Sequence, residues 1–394
     1  LDEEGDVDDM LRQAFTFDSN GRTVGIFSLT LLPEDGGNVR DYAIVDKPYM
    51  QTAREALERF RAADADLVIG LTHLHMADDI RLSALRADYP EFLFIVGGHE
   101  HEPEFQPLSD TNAAVMKGAS NARSIWQIDV RFDGDQPPRI DTELIAVDSS
   151  IVEDASYLEI ASRWRGRLLE LMPFIQSTVG TAAVPLDGRE VTVRNEESNW
   201  GNFIVDQMPE AFRNPPADLA FINSGTLRID DFVAGDITFE DIGRTFGFSS
   251  FLRHMTIAGG DFITLLEAGY RGTGPSKGYF PQISGFRVCV DSSRPDGARI
   301  VQLQVPVNDS WQQIDAERDY TLVAPAYIYR GGDGYDFSKA RDVSREGSEL
   351  RYLVLDAIIR AKALGEAVGA PVDPDNPRIA FLAAGAERCF AHPQ

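Results

Sequence analysis

The stretch "FLFIVGGHEHEPEF", residues 92–105, runs apolar for five residues, stops at two glycines, and then sets His99 and His101 on either side of Glu100. A short apolar run closed by turn residues fits a strand buried on both faces. The same design occurs upstream in "LVIGLTHLH", residues 67–75, where an apolar run delivers His73 and His75. Ahead of it, Ala53, Ala56, Leu57, Phe60 and Ala63 recur at helical spacing, and "ADDIRLSALRADYP" at 77–90 is a second helix-compatible segment. "RTVGIFSLTLL" at 22–32 reads as a further strand. Strand and helix in alternation predict an α/β layered domain, whose ligands gather beyond the carboxyl ends of the strands. Both histidine pairs stand there.

The remainder of the chain has a different texture. Residues 151–175 read as one amphipathic helix, and beyond it short apolar runs are separated by turn-rich pieces such as "PLDGRE" and "RGTGPSKGYFPQ", with helices near 260–270 and 349–364. The expected organisation is therefore an α/β domain over 1–150, a linker helix over 151–175, and a mixed α+β domain over 176–394. A length of 394 residues with 43% hydrophobic content supports two such cores. The balance of 63 acidic against 37 basic residues, a net charge of -26, repels nucleic-acid polymers and anionic membranes. No segment has the length and apolarity of a membrane span. The opening "LDEEGDVDDM" begins with Leu and is no signal peptide, so a processed or truncated N-terminus is expected. Cys289 and Cys389 are too few for a disulfide framework or a zinc motif, and whether they pair is open.

Four of the six histidines fall between residues 73 and 101. A lone loop histidine is best read as solvated, but a cluster at strand ends favours metal ligation, since neutral imidazole is the commonest metal ligand and Gly97 and Gly98 permit a tight turn. Histidines alone do not complete a hydrolytic centre. Two ions held close together need bridging and terminal carboxylates.

These motifs resemble those of the metallophosphoesterase superfamily, and in particular its 5'-nucleotidase family. "LVIGLTHLH" and "FLFIVGGHEH" resemble the last two metal-ligand motifs of the catalytic domain. "FINSGTLRID" at 221–230, "RTFGFSS" at 244–250 and "YIYRGGDGYDF" at 327–337 resemble three loops of the family's C-terminal domain, in family order. The resemblance implies a partial calcineurin-like sandwich joined by the linker helix to a 5'-nucleotidase C-terminal domain. It also marks a gap: no Asp-x-His or Asn-His pair occurs in the chain, so the family's catalytic His-Asp pair is missing, and the chain is expected to begin just downstream of it.

Carried over residue by residue, the resemblance makes His73 and His99 ligands of one metal ion and His101 a ligand of the other, with His75 a bystander where the family often has glycine. Arg194 and Arg228 match arginines at the phosphate end of the substrate pocket, a role suited to a guanidinium fork. Asn223 supplies an amide for the base or ribose. Phe246 and Tyr327 match the aromatic pair that stacks the base, worth on the order of 1–3 kcal/mol per base. Asp333 matches the acceptor of ribose hydroxyls. Thr245 stands where proline is usual, Tyr327 where phenylalanine is common, and Asn199 where some members carry another arginine.

The implied activity of the complete protein is hydrolysis of nucleoside 5'-monophosphates or related nucleotides, using two divalent ions such as zinc, manganese or magnesium. Action on cyclic nucleotides or nucleotide sugars stays open, as does a non-catalytic nucleotide-binding role for the chain alone, whose activity is expected to be impaired. A nucleotide or nucleoside is the expected partner, and the resemblance favours a periplasmic, secreted or cell-surface location.

Overall fold

The computed structural model describes residues 14–31, 48–134, 138–212, 215–272, 277–308, 310–383 and 385–390. The acidic opening segment and Leu32, the end of the first predicted strand, lie outside them. The chain divides into two compact units, Leu1–Ala155 and Ser156–Gln394.

In the first unit, the apolar runs become the strands of one sheet. In chain order come β1 (Ala14–Ser19), β2 (Arg22–Thr30), α1 (Tyr49–Ala62), β3 (Leu67–His73), α2 (Met76–Ser83), β4 (Phe92–Gly97), β5 (Glu104–Gln106) and β6 (Ala114–Lys117). The spatial order is β1-β2-β3-β4-β6-β5. The central four strands run parallel, and β1 and β5 pair antiparallel at the edges. Successive side chains on a strand face opposite ways. Phe27, Val68, Ile95 and Val115 accordingly pack with Ala53, Leu57 and Phe60 of α1 and Leu82 of α2. Val24, Leu67, Phe94 and Met116 face the other side, against Trp126, Ile128, Val130 and Ile140. These four belong to the hairpin of β7 (Ser124–Arg131) and β8 (Arg139–Ala146). Burial on both faces explains why β3 and β4 read as unbroken apolar runs rather than alternating ones. Close approach of α1 depends on Gly25, where a Cβ would lie 2.7 Å from the Phe60 ring.

The helix expected over 151–175 is α3 (Ala155–Leu171), and none of its side chains is buried. In the second unit, a four-stranded sheet runs Leu252–Ala258, Asp319–Pro325, Leu219–Asn223, Pro281–Ser284 in spatial order. It separates two cores. Ala220 and Ile222 face Trp200, Ile204 and Val354, while Leu219 and Phe221 face Phe262, Phe286 and Tyr335. The predicted helix at 260–270 is an α-helix over Gly259–Leu266 followed by a 3-10 turn over Glu267–Tyr270. The helix Leu350–Leu364 ends on Gly365 at φ 75°, the left-handed conformation that glycine adopts without penalty. A second sheet carries Arg287–Val290 between Ile300–Val307 and Ile379–Phe381. Cys289 in that central strand forms a disulfide with Cys389, with Cα atoms 5.5 Å apart, so the pairing left open by the sequence is made. No described helix is long and apolar enough to cross a membrane.

Candidate functional site

The histidine cluster is built by the parallel register. Because β3 and β4 are neighbours that end at the same edge, the turns after them bring His73, His75, His99 and His101 together. The His73 and His99 ring centroids are 5.4 Å apart, and those of His75 and His99 are 4.4 Å apart. His75, expected to be a bystander, therefore provides the shorter of these two ring contacts. His99 and His101 hold positive φ angles of 94° and 69°, a conformation that is uncommon outside glycine. The carbonyl of His101 accepts a hydrogen bond from the Ser120 amide at 2.9 Å.

Burial lowers the pKa of His99 from 6.5 to about 4, and the neighbouring His75 pushes the same way. His73 is lowered too, by burial and then by Lys117. Both rings are thus neutral at pH 7, as ligation requires. The carboxylates beside them are otherwise committed. Asp79 and Glu100 both face the ammonium of Lys117, at 2.7 and 3.0 Å. Asp79 also accepts from the Thr72 hydroxyl, and Glu100 from the Met76 amide. Among the described residues, no group of three or more His, Cys, Asp or Glu side chains is placed to hold a metal ion. The turns gather imidazoles, and the carboxylates beside them, Asp79 and Glu100, are paired with Lys117.

The depressed His99 pKa gives a pH prediction. Folding favours the neutral ring, so the unfolded chain binds more protons between pH 6.5 and about 4; the contribution is full above 6.5 and is lost as pH falls through 4. Discounted for the ring's partial exposure, the loss is about 1–2 kcal/mol. Urea unfolding of the first unit at pH 7 and pH 4 should show it, with a smaller drop in His99→Asn; equal drops in both proteins would reject the assignment.

In the second unit, Leu219–Asn223 runs parallel to Asp319–Pro325, so the turns after both strands emerge at one edge. Leu252 pairs with Pro325 across the antiparallel neighbour, which brings the preceding loop, 246–251, to that same edge. Asn223, Arg228, Tyr327 and Asp333 collect there. The Asn223 amide donates to Asp333 Oδ2 at 2.7 Å, and the Tyr327 hydroxyl donates to Asp333 Oδ1 at 3.0 Å. Thr226 in turn donates to Asn223 Oδ1 at 2.8 Å, which fixes the orientation of the amide. Asp333 sits at φ 55° between two glycines, and the Tyr327 ring lies across Gly332, where a Cβ would come within 2.6 Å of it. Each carboxylate oxygen of Asp333 keeps a lone pair for a further donor.

Arg194 is only 3% exposed and pairs with Glu190 at 2.5 Å. Burial holds its pKa below the ordinary value; Glu190 opposes that shift, Arg228 adds to it, and Asp230 and Asp333 oppose it more weakly. Arg228 donates its backbone amide to the Thr245 carbonyl and lays its guanidinium 5.0 Å from the Phe248 ring centroid. Its Nε is buried with no hydrogen-bond partner among the described residues.

The aromatic pair is rearranged relative to expectation. Phe246 is 1% exposed and packs in the core with Trp200, Val323 and Leu252, so it presents no ring face to a base. The exposed rings at this edge are Phe248 at 51%, Tyr327 at 45% and Phe251 at 41%. The cause is local. The helix Phe239–Thr245 is fixed by a capping box between Thr238 and Asp241 and ends at Thr245. The buried Thr245 hydroxyl donates to the Asp241 carbonyl and accepts from the Trp200 indole, which draws the next residue, Phe246, inward. Asn199 serves the backbone, accepting from the Asp187 amide and donating to the Pro185 carbonyl.

Residues 178–340 match the family model of the 5'-nucleotidase C-terminal domain. The trifunctional nucleotide phosphoesterase protein YfkN of Bacillus subtilis (strain 168) is 24% identical over 369 residues, covering 90% of this chain and 24% of that protein. The 5'-nucleotidase of Diplobatis ommata is 23% identical over 353 residues, covering 82% of this chain and 60% of that one. The chain thus spans less than two thirds of the length of either relative. A crystal structure of a 5'-nucleotidase precursor from Thermus thermophilus superposes with a TM-score of 0.76 at 22% identity, covering 94% of this chain and 74% of that one; at such identity the match shows the fold. Residues 178–340 thus belong to the 5'-nucleotidase C-terminal domain family, and most of the chain is similar to proteins named as 5'-nucleotidases and nucleotide phosphoesterases.

Proposed function

We propose that the Ser156–Gln394 unit recognises the nucleoside part of a nucleotide and that the protein acts in the hydrolysis of nucleotide phosphoesters. The observation that carries this reading is Asp333. Its carboxylate is oriented by Asn223 and Tyr327 while the Tyr327 ring stays exposed beside it. A base stacks on Tyr327, with Phe248 rather than Phe246 as the second ring; ribose hydroxyls donate to Asp333; and the guanidinium of Arg228, with Arg194 behind it, meets the phosphate oxygens. Guanidinium supplies the fixed positive charge that a protein of net charge -26 needs to attract a nucleotide. Divalent metal ions, if bound, would supply the activated water and the charge on phosphorus. His73, His99 and His101 are the ligand candidates here, and no step is assigned through them. The Cys289–Cys389 disulfide suits an oxidising compartment, in keeping with a periplasmic, secreted or cell-surface location.

Calorimetry with adenosine tests the binding role. Phe248→Ala and Tyr327→Ala should each weaken affinity by about 1–3 kcal/mol, roughly 5-fold to 150-fold. Unchanged affinity in both variants would overturn the reading. Phosphate release from AMP by the 394-residue chain, measured with and without added divalent ions, tests hydrolysis separately.

A further inference from the structure

Lys117, the last residue of β6, is the most unusual side chain in the first unit. It is fully buried, and its ammonium has four oxygen neighbours: the Leu74 carbonyl at 2.6 Å, the Gly98 carbonyl at 2.9 Å, Asp79 Oδ2 at 2.7 Å and Glu100 Oε2 at 3.0 Å. A lysine is almost never buried without such partners, because its charge must be satisfied in place. What sets this one apart is where the partners lie. Leu74 stands between His73 and His75, Gly98 precedes His99, and Glu100 separates His99 from His101. Asp79 belongs to α2, the helix that starts immediately after His75. The backbone of Lys117 is held as well, its carbonyl accepting from the Trp126 indole at 2.8 Å. The two turns are thus fastened to one cation from the neighbouring strand.

We propose that Lys117 is the positioning residue of the histidine cluster: its ammonium, rather than a metal ion, draws the turns after β3 and β4 together and sets the contacts of His73 and His75 with His99. The cation bonds two backbone carbonyls, one from each turn, and balances one carboxylate from α2 and one from the second turn. The same bonds hold the backbone on either side of His99 in its left-handed conformation. The imidazoles are therefore arrayed before any ligand arrives, and the array depends on a residue that touches none of the substrate groups proposed above.

The test uses the whole 394-residue chain, labelled at histidine, in the presence of a chelator. The wild-type protein is expected to show ring-to-ring proton cross-peaks between His75 and His99 and between His73 and His99 without added metal. Lys117→Met should lose both, with the resonances of His254 in the second unit unchanged as a control on the remaining fold. Lys117→Met also leaves Asp79 and Glu100 buried without a cation, a burden large enough to unfold the first unit on its own. A second variant combining Lys117→Met with Asp79→Asn and Glu100→Gln removes that burden and should fold while still lacking the cross-peaks. Persistence of the cross-peaks in either variant would overturn the proposal. So would a wild-type protein that shows them only after zinc is added.

Discussion

Replacing Cys289 and Cys389 with serine is expected to cost the second unit on the order of 4–5 kcal/mol, the loss predicted when a cross-link closing a loop of about a hundred residues is removed. The sequence separation is 100 residues, and Cys289 is fully buried. The segment it anchors has other ties: Ile379–Phe381 pairs in parallel with the strand of Cys289, and Gln302 accepts from the Cys389 and Phe390 amides. Native contacts of the last strand thus survive while the unfolded chain gains freedom. The double serine variant should keep its native spectrum and lower its urea midpoint, and reduction of the wild-type protein should give the same midpoint. Matching midpoints for oxidised wild type and variant would show that the loop constraint contributes nothing.

The sequence carried the fold well where burial leaves a local trace. β3 and β4 are apolar on both sides, and α1 repeats Ala53, Leu57 and Phe60 on one face, so run length and period suffice. It carried less of the site, because exposure and orientation depend on residues distant in sequence. "RTFGFSS" offers two phenylalanines two positions apart, and nothing local says which one is drawn inward. That choice is made by Thr245 bonding Trp200, 45 residues away. Lys117 left one faint signal, a charge directly after the apolar run "AAVM" and before a glycine, yet its partners come from three different segments. The ring contact of His75 left no local trace for the same reason. Its aromatic neighbour, His99, is brought by strand pairing rather than by spacing.

Breaking the Glu190–Arg194 pair is expected to be the second large effect. Both side chains are almost wholly buried, and Glu190 also has its backbone amide held by Asp230 Oδ1 at 2.8 Å. Arg194→Ala or Glu190→Ala alone should therefore destabilise the second unit by about 3–5 kcal/mol, since each breaks a buried pair of opposite charges. Either single variant would also weaken nucleotide binding, and the result would not say whether Arg194 touches the phosphate or merely supports the fold. Replacing both residues with methionine separates the two roles. Removal of a buried pair together, with volume kept, is often close to neutral for stability, so the double variant should unfold near the wild-type midpoint. If Arg194 contacts phosphate, that variant should bind AMP more weakly than wild type while binding adenosine, which lacks the phosphate, about equally well. If Arg194 only supports the fold, AMP and adenosine affinities should both return with stability.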